Sequence, residues 1–255
     1  MPDSINRSSF LKWLVDPVQP TSDVAKRAYR FVGDRRAWLV PMALGIALLT
    51  ISLLGLWESP DDFFFAYLVG WSFLLTIALG GLFFLVFNHL TRANWSVVVN
   101  RINEALVWAF PLLFVLGLPL LFGMHDLYHW THAGLYDPSS PQYDEILAGK
   151  RAYLNTPFWS VRMVVYFAVW TVISYRLYTL SLRQDVDADP EIPAALRSTS
   201  AWGLPLLAVT TAFARYYILM STDPHWFSTI FAIYFISLRT PSAVATVALL
   251  SLHLG

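Results

Sequence analysis

Residues 37–57 and 64–87 contain no Asp, Glu, Lys or Arg, and these two charge-free runs constrain the chain more than any other feature of its sequence. A helix needs roughly 20 consecutive apolar residues to cross the hydrocarbon core of a bilayer. Both runs meet that length. Four more stretches come close to the same composition: 105–122, uncharged but carrying Pro111 and Pro119; 157–181, with Arg162 and Arg176 near its ends; 201–220, with Arg215; and 226–254, with Arg239 followed by Pro241. Barrel strands would alternate in polarity and stop after about 10 residues, so the pattern predicts an all-α, polytopic transmembrane bundle of six spans. Pro111 and Pro119 are expected to bend the third span. Pro241 is expected to break the sixth around a polar site.

Composition agrees. Charged residues make up 13% of the chain, half of the roughly 25% usual in soluble domains. Seventeen basic residues balance seventeen acidic ones, which argues against a nucleic-acid partner. With no cysteine, thiolate metal sites, iron–sulfur ligation and c-type haem attachment are excluded for this chain.

The connections set the expected orientation. Residues 1–36 carry seven Lys and Arg, the 88–103 loop carries Arg92 and Arg101, and the 176–198 region carries Arg176, Arg183 and Arg197. The alternate connections hold only Lys150 and Arg151, both in the 123–156 loop. Basic residues concentrate on the cytoplasmic side, so both termini are expected there, with 1–36 as a cytoplasmic segment and 123–156 as an outward loop. Residues 1–36 lack the apolar core of a cleavable signal before Trp38. Their 10–15 stretch reads either as an interfacial amphipathic helix or as a helix docked on protein.

Two groups of residues could carry chemistry. His125, His129 and His132 would share one face if their segment were helical, a spacing able to hold a metal through imidazole nitrogens. A polar loop is the plainer reading. A di-iron hydroxylase would need more histidine boxes, and a b-type cytochrome would need His89 and His253 to lie deeper than the span ends. The intramembrane arginines point further, because a charge in hydrocarbon normally faces a partner or a wet cavity. Arg162 and Arg215 are expected at similar depth near the outward side, and Arg239 nearer the centre of its span. Asp126, Glu145, Asp223 and His225 are candidate partners on that side. Asp223 is expected to pair with Arg162 or Arg215 beside a solvated pocket lined by Tyr216 or Tyr217. The cluster could serve quinol or proton transfer, or simply pin the fifth and sixth spans together. No Asp or Glu falls inside the expected spans, which leaves arginine unable to relay protons by itself.

Several strings together resemble one family. They are TRANWSVVVNRINEAL at 91–106, HDLYHWTH at 125–132, KRAYLNTPFW at 150–159 followed by Arg162, Tyr166, Phe167 and Trp170, Gly203-Leu204-Pro205, and MSTDPHWFSTI at 220–230. Over about residues 35–238 the chain resembles the ActF subunit of alternative complex III, a bacterial quinol:cytochrome c oxidoreductase. The resemblance implies an NrfD-like helical fold in the bacterial inner membrane and no redox centre in this chain. It also implies an ActC-like membrane partner, with iron–sulfur and multihaem cytochrome c subunits on the outer face, and menaquinol or another quinol as a candidate ligand. Two departures stand out. The family pattern places an aspartate three residues before the Met of the last string, where this chain has Tyr217. The family also runs to about ten spans, so the six here are expected to be the N-terminal part of a longer fold.

Overall fold

The computed structural model describes residues 36–186 and 189–254. The 1–35 segment, with its 10–15 stretch, lies outside the described residues, as does the side chain of His253. Six helices are long and apolar enough to cross a membrane, at Leu39–Glu58, Pro60–Thr91, Val99–Phe122, Thr156–Gln184, Glu191–Thr222 and Phe231–Leu252. The protein is an all-α, multi-pass membrane bundle, with no strand among the described residues.

Helix α1 (Arg36–Ser52) and a single turn at Gly55–Glu58 make the first span. Helix α2 (Pro60–Thr91) follows after Ser59 and is the centre of the bundle. Pro60 sits where a helix lacks an acceptor for its N–H in any case, and Asp61 and Asp62 oppose the positive end of the helix dipole. Buried residues run along its whole length on several faces, from Phe64 to Asn88, as expected of a helix enclosed by others. Arg92, at φ 55° in the left-handed region, closes it.

The third span is built in pieces: α3 (Val97–Val107), α4 (Phe110–Gly117) and a last turn at Pro119–Phe122. The breaks fall just ahead of Pro111 and Pro119, because a proline ring clashes with the carbonyl one turn back and supplies no N–H. Side chains from α2 meet the interrupted helix: Tyr67 donates to the Leu116 carbonyl at 2.6 Å, and the Trp71 indole to that of Leu113 at 2.8 Å. Helix α3 extends further back than the sequence suggests. It brings Glu104, 2% exposed, into the span and overturns the expectation that no carboxylate lies there. Glu104 pairs with Arg101 at 2.6 Å, and Arg101 also bonds Asp185 at the end of the fourth span.

The 123–156 loop is compact. Asp144 caps α5 (Glu145–Lys150), accepting from the N–H groups of Ile146 and Leu147. Asn155 caps α6 (Thr156–Gln184) in the same way, through Phe158. Helix α7 (Glu191–Ile218) and α8 (Phe231–Leu254) complete the bundle. Helix α8 packs so tightly on α2 that a methyl group built on Gly80 would lie 2.0 Å from the Arg239 carbonyl oxygen. Pro241 sits inside α8 without breaking it, contrary to expectation. In contrast, the apolar window of the first span buries none of its residues.

Candidate functional site

The residues that the sequence groups into one polar cluster separate into three places. The first is Arg162, 7% exposed and one and a half turns into α6. Its guanidinium lies 4.0 Å from the ring centre of Tyr153, 4.0 Å from that of Phe158 and 3.9 Å from that of Tyr217. It donates to the carbonyls of Tyr153 at 2.6 Å and Phe158 at 3.2 Å. A cation over aromatic faces gains from the ring quadrupole, and more so away from water. Tyr217 is itself buried, and its hydroxyl donates to the Trp159 carbonyl. It therefore clamps Arg162 and does not line a solvated pocket. Tyr216 reaches the Thr229 carbonyl at 2.8 Å.

The second place lies between α2, α7 and α8. Arg215 is 3% exposed and Arg239 2%. Arg215 donates to the Thr76 hydroxyl at 2.6 Å and stacks on Phe235 at 4.9 Å. Arg239 donates to the Thr211 hydroxyl at 3.2 Å and stacks on Phe83 at 4.7 Å. Because α8 begins at Phe231 rather than near 226, Arg239 stands only ~12 Å from its start. That shift places it at the level of Arg215, which the sequence reading set apart from it.

The third place is the loop end of the bundle. The His225 ring meets the Asp144 carboxylate at 2.8 Å, and the Lys150 ammonium donates to the Pro224 carbonyl at 2.8 Å. Tyr128, fully buried, reaches the Ile218 carbonyl at 2.8 Å. Burial pushes the Tyr128 phenol up from its ordinary range, so it serves as a fixed donor. The N–H groups of Leu147 and Ile146, with neighbouring His225, hold the Asp144 carboxyl below the usual carboxylate range.

Asp223 corrects the sequence reading most clearly. It binds the N–H groups of His225 and Trp226 at 3.3 and 3.4 Å and shapes the turn before α8. It pairs with neither arginine. Among the described residues no carboxylate lies within ion-pair distance of Arg162, Arg215 or Arg239.

The histidines come together, but not as one helical face. Asp126 and His125 belong to a single turn at Met124–Leu127, Tyr128 is extended, and His129 opens a 3-10 turn. His125 and His132 rings lie 4.0 Å apart and His129 and His132 5.4 Å, while His132 Nδ1 contacts the His129 carbonyl. Among the described residues no group of three or more His, Cys, Asp or Glu is arranged to hold a metal ion.

An apolar cleft of ≈ 720 Å³ opens between α1 and α2, lined by Gly45, Leu48, Tyr67, Gly70, Trp71 and Leu74 among others. Sequence reasoning missed it, along with Thr76, Thr211, Phe83 and Phe235. The only signal for the cleft was the coincidence of small residues at Gly45 and Gly70.

No known protein family and no curated protein matches this chain.

Proposed function

We propose that this chain is an integral membrane subunit, without a redox centre of its own, of a quinol:cytochrome c oxidoreductase of the alternative complex III type. It would lie in a bacterial cytoplasmic membrane with both termini inside and the 123–156 end outside, as the distribution of basic residues favours. An ActC-like membrane subunit and outer iron–sulfur and multihaem cytochrome c subunits would be its partners.

One observation carries the proposal. Three of the strings that resemble the ActF family, HDLYHWTH and KRAYLNTPFW from the 123–156 loop and its exit and MSTDPHWFSTI from beyond α7, build a single cap. Tyr128 ties the first to the end of α7, Lys150 ties the second to Pro224 of the third, and Arg162 binds the second through Tyr153 and Phe158. Such a cap offers a firm platform on which outer subunits could dock. The cleft between α1 and α2 has the volume and apolar lining for a hydrocarbon tail such as that of a quinol.

Purification from native membranes in mild detergent tests the proposal. The chain should copurify with subunits carrying c-type haem and iron–sulfur clusters, and deleting it should abolish quinol:cytochrome c reductase activity. Recovery as a lone, catalytically complete enzyme would refute the reading.

A further inference from the structure

Arg215 and Arg239 form an interlocked pair. Arg215 stacks on Phe235, one turn before Arg239 on α8, and Arg239 donates to Thr211, one turn before Arg215 on α7. Each guanidinium therefore lies against the other's helix. Each has five N–H donors, yet Thr76 and Thr211 are their only hydrogen-bonding side-chain partners among the described residues, and Arg239 Nε has no acceptor at all. A guanidinium does not give up its proton at physiological pH. Two like charges thus share a water-poor interior with no carboxylate to offset them, an arrangement that is strongly unfavourable unless a counter-charge enters.

The surroundings restrict what can enter. Both arginines are buried against this chain's own α2, α7 and α8, so little of either guanidinium faces a neighbouring subunit. Water would solvate the charges without neutralising either.

We infer that Arg215 and Arg239 together bind one small monovalent anion, with chloride the physiological case. Vacant N–H groups of both guanidiniums coordinate it, and Phe83 and Phe235 close off the cationic faces. The site locks α7 and α8 to α2. It does not depend on the proposed place in an electron-transfer complex.

Thermal unfolding of the purified protein, with any subunits that copurify, tests this at fixed ionic strength as chloride replaces gluconate, a much bulkier anion. The midpoint should rise by ~3–5 °C per tenfold increase in chloride above half-saturation. Arg239→Gln and Arg215→Gln should lose that dependence, whereas Arg92→Asn, at an exposed position, should keep it. Thr211→Val removes a neutral acceptor from Arg239 while leaving both charges, so the dependence should set in at lower chloride with the same limiting slope; this variant serves if the arginine variants do not fold. A wild-type midpoint indifferent to chloride, an unchanged dependence in Arg239→Gln, or an onset at unchanged or higher chloride in Thr211→Val would overturn the inference.

Discussion

Three rings and two carbonyls surround Arg162, and the planar shape of the guanidinium suits all of them at once. A lysine there would keep the charge but lose the stacking plane and the forked donors. Arg162→Lys should therefore lower stability by about 1–3 kcal/mol, read as a reduced thermal midpoint. Asp144 supports a prediction about pH. Its folded pKa lies below its unfolded value, so its contribution is present above the ordinary carboxylate range and lost as pH falls through the folded value. Pepsin cleavage within 123–156 should rise as pH drops below ~4, and Asp144→Asn should make that rise shallower. An unchanged profile would mean that other groups set the acid response. The sequence marked the right charges but paired them wrongly. Arg162, Arg215 and Arg239 stand out in any reading of the spans, yet their partners are ring faces, hydroxyls and carbonyls, which leave no trace in charge pattern. Asp223 looked like a counter-ion because it was the nearest carboxylate in sequence, but the turn needed it as a cap.

Helix α2 is where elements meet most closely. A methyl group on Gly80 would collide with the Arg239 carbonyl at 2.0 Å and with the Ala243 side chain at 2.8 Å. Backbone cannot swing aside as a side chain can, so Gly80→Ala should push α8 away and cost about 1–3 kcal/mol. Gly149→Ala, where nothing lies within 4 Å of the new methyl, should be neutral or slightly stabilising. Equal effects of the two changes on thermal unfolding would dismiss the close contact. The spans themselves were legible, because apolar length is a property of the sequence alone. The kinks ahead of Pro111 and Pro119 were legible too. Pro241 was not: a helix lying along α2 keeps its course despite one missing hydrogen bond. Glu104 was misplaced because α3 starts as an amphipathic helix, with Val99, Ile102 and Leu106 at helical spacing, so counting apolar residues alone begins it too late.

For the whole molecule, the asymmetry of basic residues gives a testable orientation. The chain has no cysteine, and Ser139 and Ser198 are both exposed near opposite ends of the bundle. An impermeant thiol reagent added outside intact cells should label Ser139→Cys and spare Ser198→Cys. The reverse pattern would invert the proposed topology. The cap at the loop end was only half visible beforehand. Its strings could be recognised, but their convergence depends on contacts between residues as distant as Tyr128 and Ile218. Those contacts share one property. Tyr128, Lys150, Arg162, Tyr216 and Tyr217 each reach a main-chain carbonyl. Every such tie is written on one side only: the donor must be a particular residue, while the acceptor is an atom that all residues possess. The cap can therefore drift freely at Ile218, Tyr153, Pro224 or Trp159 as far as these bonds are concerned, and the memory of these ties resides in five side chains.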